Sequence, residues 1–509
     1  MMSKLGDKLI QIIAVIASAI FFVIFVSNIV LTSTVAYGWR ENITYNFNYW
    51  WLLVLPFVLT LLYVFYLNIN KISTKTIYIL GSIAYIVFGV YILINTNDFI
   101  KADSASCFNI ARRLLNNDLS VFDRKSYISM FPYQLGYIAY DMLVITLFKD
   151  VKALYILNLI YVLIINYFIY KISLKLFKDE VVAKLTLFIE FLFLPLFFFF
   201  LFGYGSLPGL CFITVAVYCF ICYLNSENKL RNIFLMIILS FIACNLKQNY
   251  KIASIAMFIT IIINSMKKGL KKNLVSIFFN ILLVFTSLTS DSVTKLIFEK
   301  YYSVEIGSGV PTITYIAMGT DLNNNMRAPG WYDGSPYYDS DKFDHDYSAM
   351  KEYEKEKLAD NIKTTLDSPF KLFSFYTRKI SSLWSEPLFQ SIWSGPTNDN
   401  GIVYVNGALL ESIYGDGVAN KMLILFCKCI LVIIIFSSFL FSRKHLSNVN
   451  YIFFILYFIG GFIFHLFSEG KSQYAFMYIV LLMPIVGYEL KEMLNHIIIK
   501  IGSLTLTNQ

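Results

Sequence analysis

Charged residues follow directly on a long apolar run early in the chain, and their types suit acid–base chemistry at a membrane surface. Asp98 and Asp103 open this stretch, and Arg112 and Arg113 follow soon after. A positioned carboxylate can accept the proton of a reacting hydroxyl group. A carboxylate at the outer membrane surface is therefore well placed to act on a lipid headgroup, with Asp98 able to assist or replace Asp103.

The spacing after the apolar run predicts a helix that begins at Asp103. Phe108, Ala111 and Leu115 would share one face of it. Asp103 or Ser104 can cap the N-terminus of this helix through a side-chain oxygen. Two interpretations of Asp103 stay open at this point: a catalytic carboxylate, or only the cap of a helix at the membrane interface.

Further polar residues stand where other apolar runs end. His465, Glu469 and Lys471 follow one late run, and Tyr474 comes just before the next. Lys247 lies between two runs in the middle of the chain. Taken alone, any one of these lysines suits a simple interfacial anchor.

An aromatic segment returns the chain toward the membrane after the predicted helix. It runs from Tyr127 to Tyr137 and includes Gln134. The apolar stretch 135–148 that follows is too short to cross a bilayer easily and contains Asp141. We interpret this stretch as a partly buried or re-entrant helix.

The composition predicts an all-α polytopic membrane protein. Hydrophobic residues make up 57% of the 509, only 15% are charged, and mean hydropathy is +0.63. We expect about twelve transmembrane helices, with both termini in the cytoplasm. The predicted spans are 9–31, 49–69, 76–96, 153–170, 185–202, 208–224, 232–246, 252–265, 274–294, 421–441, 450–467 and 475–490.

Charge asymmetry predicts the orientation of the chain and its division into domains. Residues 296–420 carry 17 acidic and 10 basic side chains, so their net charge is −7. Because the net charge of the whole chain is +9, the remaining residues together carry +16. The positive-inside rule places this acidic segment outside the cell and basic loops such as KKGLKK, 267–272, inside. We expect an N-terminal membrane module (1–295) with a catalytic outer loop at 97–134, an extracytoplasmic α or mixed α/β domain, and C-terminal membrane helices (421–509) with an outer loop at 468–474.

These motifs resemble the GT-C superfamily of polytopic glycosyltransferases, which use polyprenyl-phosphate sugars. The resemblance is to protein mannosyltransferases and aminoarabinose transferases, and more closely to cell-envelope members from Gram-positive bacteria. The envelope members have an Asp after an early helix, then an Ala-containing helix, a Tyr and a Pro-aromatic-Gln-x-Gly element. The matching residues of this chain are Asp103, Ala111, Tyr127 and PYQLG, 132–136. A second match is FHLFSEGKSQYAFMYIVLLMP, where Gln473 stands in place of the usual Arg. The segments YIAMGTDLNNNMRAPGWYDG and WSEPLFQSIW also look like the outer domain of these proteins.

The resemblance implies an inverting sugar transfer on the extracytoplasmic face of the cell membrane. Asp103 would be the general base, and Lys471, Lys247 and Arg112 or Arg113 would hold the donor phosphate. Tyr127, Gln134, His465, Glu469 and Tyr474 would support the site. The implied partners are a polyprenyl-phosphate-linked sugar donor, an extracytoplasmic glycan acceptor and the lipid bilayer, with no nucleic acid. No acid cluster suggests a metal or other cofactor, although related oligosaccharyltransferases use a divalent cation.

Two other functions compete with the glycosyltransferase. A lipid-linked oligosaccharide flippase or transporter would be expected to show paired halves with broken helices and small loops, whereas this chain has one large asymmetric outer segment and no visible halves. An envelope polysaccharide polymerase shares a large outer segment but would be expected to rely on outer loops rich in arginine. The acidic outer segment has only Arg327 and Arg378.

Overall fold

The computed structural model describes most of the chain and is dominated by helices. Helices account for 78% of it, and within the described part the sheet is a single two-stranded hairpin. The all-α fold class is therefore confirmed. The described residues are 2–36, 41–97, 99–269, 274–324, 327–397, 402–446 and 448–507.

The first part of the chain alternates long apolar helices with short polar connections. Its elements are α1 (Met2–Val30), β1 (Thr32–Ala36), β2 (Asn42–Asn46), α2 (Trp51–Leu67), α3 (Thr74–Ile94), α4 (Ala102–Leu115), α5 (Tyr127–Met130), α6 (Leu135–Phe148), α7 (Lys152–Phe177), α8 (Glu180–Leu192), α9 (Leu194–Phe198), α10 (Ser206–Leu224), α11 (Lys229–Leu246), α12 (Lys251–Lys268), α13 (Leu274–Leu288) and α14 (Ser290–Tyr302).

The polar segment that follows forms shorter helices, and the last part of the chain forms four helices, α20 to α23. These elements are α15 (Thr312–Thr320), α16 (Ser335–Lys342), α17 (Tyr347–Asp367), α18 (Pro369–Trp384), α19 (Ala408–Tyr414), α20 (Val418–Lys444), α21 (Val449–Phe467), α22 (Ser472–Val480) and α23 (Met483–Thr507). We call the region from α15 to α19 the outer segment. Its described part consists of these helices and the loops between them, and two isolated β-bridges occur there, Thr397 with Val403 and Val405 with Thr96 after α3.

Eight helices of the described residues are long and apolar enough to cross a bilayer by themselves: α1, α3, α7, α10, α11, α12, α20 and α21. Three bent pairs would raise the number to eleven if each pair is one span, and α2 is a shorter apolar helix of 17 residues. Each predicted span falls on one of these helices or pairs. The protein is therefore a multi-pass membrane protein, while the number of twelve crossings stays a prediction.

Two of the three bends occur at prolines. The axis turns by 55° between α8 and the helix that begins at Leu194, where Pro195 follows, and by 62° between α22 and α23, where Pro484 follows Met483. Proline lacks the backbone N–H that would continue the helical hydrogen bonds, so a break is expected at each place. The stretch 135–148 forms α6, and Asp141 within it is completely buried.

Lipid-facing surfaces explain the large exposed side chains. Val15 of α1, Leu53 of α2 and Ile94 of α3 are exposed by 70%, 71% and 73%. Such a quantity of apolar surface is rare on monomeric soluble proteins, and it matches helices that contact lipid.

Successive long helices run in opposite directions, so their termini lie at two opposite ends of the bundle. At one end, Lys267 of α12 pairs with Asp7 of α1 at 2.9 Å, and Lys175 of α7 pairs with Glu227 at 2.8 Å. At the opposite end lie the last turn of α1, the first turns of α20, and the β1–β2 hairpin. There the Nζ of Lys428 in α20 donates to the carbonyl of Leu31 at 2.9 Å. We call this second end the hairpin end.

The outer segment packs on the hairpin end. The Ser33 hydroxyl in β1 hydrogen-bonds the Ser381 hydroxyl in α18 at 2.8 Å, and the Glu469 amide donates to the carbonyl of Tyr315 in α15 at 2.8 Å. The hairpin, the outer segment and the loop between α21 and α22 thus meet in one place.

Candidate active site

A cavity of about 200 Å³ lies where these three regions meet α4. Its walls combine charged side chains with aromatic rings that come from most of the length of the chain. The charged residues are Glu41, Asp103, Arg327, Glu469 and Lys471. The aromatic ones are Tyr127, Phe131, Tyr133, Tyr315, Tyr332, Tyr337, Trp393 and Tyr474.

Asp103 lies in the first turn of α4 and faces the cavity. Its side chain is exposed, and its carboxylate has no hydrogen-bond or ion-pair partner among the described residues. The expectation that Asp103 or Ser104 caps α4 is wrong. The N-cap is Lys101, with no capping side chain, because the Ser104 hydroxyl donates instead to the carbonyl of Gly203.

Contacts on both sides hold the start of α4 in place. The buried Nζ of Lys101 donates to the carbonyls of Trp393 and Thr397 and lies 3.8 Å from the centre of the Trp393 ring. The hydrogen bond from the Ser104 hydroxyl to the Gly203 carbonyl joins the first turn of α4 to the loop before α10. The Asp103 carboxylate therefore projects from a fixed helix start into the cavity.

Lys471 takes part in an ion network that sequence reasoning missed. Its Nζ lies 2.5 Å from Oε2 of Glu41, and Nη1 of Arg327 lies 2.7 Å from the same oxygen. Glu41 comes from the hairpin and Arg327 from the loop between α15 and α16. The Lys471 ammonium and the Arg327 guanidinium also lie 5.4 Å and 5.9 Å from the Tyr332 ring centre.

Lys247 stands behind the aromatic wall, half-buried between two rings. Its Nζ is 4.2 Å from the centre of the Tyr204 ring and 4.9 Å from that of Tyr474. Removal from water lowers the pKa of Lys247 to about 8, against the opposite influence of the Asp103 and Glu469 carboxylates. The structure thus brings Lys247 close to the cavity without placing it in the lining.

Glu469 faces the cavity from a tightly held loop. It is buried, and its Oε1 has no hydrogen-bond partner. Burial raises its pKa to about 7, although Lys471 and Lys247 act in the opposite direction. Nδ1 of His465 lies 3.2 Å from the Glu469 carbonyl, and Nε2 lies 3.3 Å from the Asn249 side chain. His465 therefore positions this loop and does not line the cavity.

A buried lysine in α18 fixes the same loop from the other side. Nζ of Lys379 donates to the carbonyls of Gly319, Leu466 and Ser468, the last two at 3.0 Å. Gly330, with φ +70°, has no side chain, and the Lys379 side chain occupies the space that a Cβ atom there would fill. Burial lowers the pKa of Lys379 to about 7.

The predicted supporting residues divide between the wall and its backing. Tyr127 and Tyr474 line the cavity, and burial raises the pKa of the Tyr127 hydroxyl well above the usual value. Gln134 is buried behind the wall, where its amide donates to the Tyr204 hydroxyl. Tyrosine rings offer apolar faces together with hydroxyl groups, which suits a ligand rich in both C–H and O–H groups.

The two arginines predicted from α4 do not reach the cavity. Arg112 and Arg113 are exposed, and Arg113 pairs with Asp118 at 2.8 Å and bonds Ser120 at 2.6 Å. The Arg113 hydrogen bond lowers the pKa of Asp118 to about 2. Asp98 lies outside the described residues.

The guanidinium group of the cavity comes from the outer segment. Gln473, where the resemblance leads one to expect Arg, contacts Gln390 through its backbone N–H at 3.4 Å and does not line the cavity. Arg327 lies within a segment that the sequence already marked, NNNMRAPGWYDG, so a signal for it existed. Nothing in the sequence around Glu41 distinguished that acid from others.

Among the described residues, no group of three or more His, Cys, Asp or Glu side chains is arranged to hold a metal ion. No family model, curated protein or solved structure matches the chain. What the site can do chemically therefore rests on its own geometry: an unpaired carboxylate, a lysine and an arginine share one cavity at the end of a membrane helix bundle.

Proposed function

We propose that this protein is an inverting membrane glycosyltransferase of the GT-C type. It transfers a sugar from a polyprenyl-phosphate donor to an extracytoplasmic glycan such as a cell-wall polysaccharide or teichoic acid. The observation that carries the proposal is the unpaired Asp103 carboxylate in the same cavity as Lys471 and Arg327.

The reaction needs a proton acceptor and a site for the leaving phosphate. The acceptor hydroxyl oxygen attacks the anomeric carbon and forms the new glycosidic bond. The bond from that carbon to the phosphate oxygen breaks, and the phosphate takes the electron pair. Asp103 accepts the hydroxyl proton, and the Lys471 ammonium stabilises the negative charge that develops on the phosphate.

The position of the cavity suits a lipid-linked donor. It lies at the hairpin end of the bundle, beyond the last residues of α3 and α21, Ile94 and Phe467. A polyprenyl chain in the bilayer would hold its phosphate at this depth. Two helices whose ends are close to the cavity, α11 and α21, lead to Lys247 and Glu469.

The same position argues against a transporter. Substrate sites of secondary transporters lie near the bilayer midplane, where discontinuous helices meet. Here the charged residues lie on connections past the ends of apolar helices. The asymmetric outer segment, which supplies Arg327 and four of the aromatic residues Tyr315, Tyr332, Tyr337 and Trp393, also favours an enzyme.

A direct transfer assay tests the proposal. The purified full chain, reconstituted in vesicles, is supplied with a series of polyprenyl-phosphate sugars and with extracted envelope glycan. The expected result is labelled glycan and free polyprenyl phosphate in equal amounts. Mass spectrometry of envelope glycans from cells with and without the chain should show the loss of one sugar substituent. Unchanged glycans together with no transfer from any donor would reject the function.

A further inference from the structure

One oxygen of Glu41 neutralises both cations of the cavity. Oε2 lies 2.7 Å from Nη1 of Arg327 and 2.5 Å from Nζ of Lys471. The Glu41 side chain is 7% exposed, while those of Arg327 and Lys471 are 22% and 11% exposed. Close charge pairs that are largely removed from water interact strongly.

The hairpin that carries Glu41 is fixed against the loop that carries Arg327. Ile43 of β2 packs with Ala328 and Trp331, and the Trp331 indole donates to the Ser382 hydroxyl at 3.0 Å. Glu41 directly precedes β2, so its carboxylate reaches the cations from a well-packed element. The network is thus part of the folded structure and not a chance surface contact.

We propose that Arg327 and Lys471 form an anion-binding subsite and that Glu41 occupies it as an internal competitor, which a phosphate group must displace. The identity of the anion, the polyprenyl phosphate monoester that leaves in the transfer, rests on the proposed function. The occupied subsite itself rests only on the contacts above.

Charge and geometry explain why a phosphate monoester can displace the carboxylate. A phosphate carries about −1.5 to −2 charges at neutral pH and three acceptor oxygens, so it can bond both cations more fully than one carboxylate oxygen does. With Glu41, Asp103 and Glu469 already in the lining, an entering phosphate also meets excess negative charge. Withdrawal of Glu41 relieves that repulsion.

A positioning role for Glu41 predicts the opposite change in phosphate affinity when Glu41 is removed. If Glu41 only held Arg327 and Lys471 in the right place, its removal would weaken phosphate binding. The sign of the change in affinity therefore decides between competition and positioning, and no assumption about sugar transfer is needed.

Binding of farnesyl phosphate and of inorganic phosphate to the detergent-solubilised full chain tests the inference. We expect Glu41→Gln to lower the Kd for farnesyl phosphate by roughly tenfold, the size of one modest charge interaction. Arg327→Gln and Lys471→Gln should each raise the Kd by at least as much. Glu352→Gln is the matched control, because it removes an acid that is 69% exposed and paired only with Lys355 on the outer segment.

Glu41→Asp provides a second variant in case the glutamine variant accumulates poorly. It keeps the charge but withdraws it from the cations, so an intermediate Kd is expected. A Kd equal to or above the wild-type value in the Glu41 variants overturns the inference. Tighter binding in a chain that transfers no sugar would reject the proposed function alone. A Kd for inorganic phosphate as low as that for farnesyl phosphate would keep the subsite but assign it to free phosphate.

Discussion

At the residue scale, the three acids of the cavity have different surroundings. Glu41 is paired with two cations, and Glu469 is buried on a fixed loop. Among these three acids, only Asp103 is exposed to the cavity with a carboxylate that makes no hydrogen bond or ion pair with the described residues. Because a general base needs a free lone pair within reach of the substrate, Asp103 suits this role best.

Asp103→Asn is expected to abolish detectable sugar transfer while the protein accumulates normally. The amide keeps the size of the side chain but cannot accept a proton, and general-base assistance is typically worth about 10²–10⁴ in rate. Stability should change little, because Asp103 makes no capping hydrogen bond in α4. The measurement is transfer from a lipid donor in membranes with equal amounts of each variant.

Asp118→Asn serves as the control for this substitution. Asp118 follows α4, caps the next short helix and pairs with Arg113 outside the cavity, and Asn caps about as well as Asp. Asp98→Asn should also be milder than Asp103→Asn. Transfer near the wild-type rate by the Asp103 variant would remove Asp103 as the base.

The affinity for a phosphate monoester should fall as pH rises from about 7 to about 9. Burial raises the pKa of Glu469 to about 7 and lowers that of Lys247 to about 8. Rising pH therefore adds a negative charge on Glu469 and then removes a positive one from Lys247. The phosphate itself is already doubly charged above its second pKa of about 6, so it contributes little to the change.

The Kd of farnesyl phosphate, measured across this range, checks the effect, and Glu469→Gln should remove the part of it near pH 7. Lys471, Glu41 and Asp103 also act on Glu469: the Lys471 ammonium lowers the pKa of Glu469, and the two carboxylates raise it. Affinity that rises with pH in the wild type would contradict this assignment.

The sequence identified the residues of the site that stand in local motifs. Asp103, Tyr127, Glu469, Lys471 and Tyr474 line the cavity. Tyr127 is a candidate through the resemblance, and the other four follow or precede apolar runs. The ion pairs that complete the cavity join residues 286 and 430 positions apart. Such pairings are decided by packing of distant elements, and no local pattern encodes them.

At the scale of elements, buried lysines hold the connections around the cavity. Lys379 reaches from α18 to carbonyls at the ends of α15 and α21. The last carbonyls of a helix lack partners within the helix, so an ammonium group satisfies them well. Lys101 and Lys428 bond other carbonyls at the hairpin end in the same way.

Lys379→Met should destabilise the outer segment by about 2–5 kcal/mol. The change removes the donor from three carbonyls, two of them in buried hydrogen bonds, and an unsatisfied buried group costs roughly 1–3 kcal/mol. Thermal unfolding in detergent and limited proteolysis of the outer segment measure the effect. Lys371→Met is the control, since Lys371 bonds only the exposed side chain of Asn323. Equal stability of the two variants would contradict this role for Lys379.

Some elements could be predicted and others could not, for physical reasons. The apolar runs define the long helices because a span through lipid must be apolar and must satisfy its own backbone. The β1–β2 hairpin was missed, although β-branched residues such as Thr34, Val35 and Ile43 favour strands. The expected cap of α4 was wrong because Ser104 has a tertiary partner, the Gly203 carbonyl.

At the scale of the whole molecule, charge separates the two ends of the bundle. Lys267, Lys175 and Lys444 lie at the end away from the cavity and pair there with acids. The acidic outer segment packs on the hairpin end. A membrane protein with this distribution is expected to keep its basic end in the cytoplasm.

Single cysteines on the two ends test this orientation. Lys268 ends α12 and Glu352 lies on α17, and both side chains are exposed. We expect Glu352→Cys to react with a membrane-impermeant thiol reagent on intact cells, and Lys268→Cys to react only after permeabilisation. The seven native cysteines are all buried, so the unmodified chain gives the background. The reverse pattern would place Asp103 and the whole cavity on the cytoplasmic side, where an extracytoplasmic glycan cannot serve as acceptor.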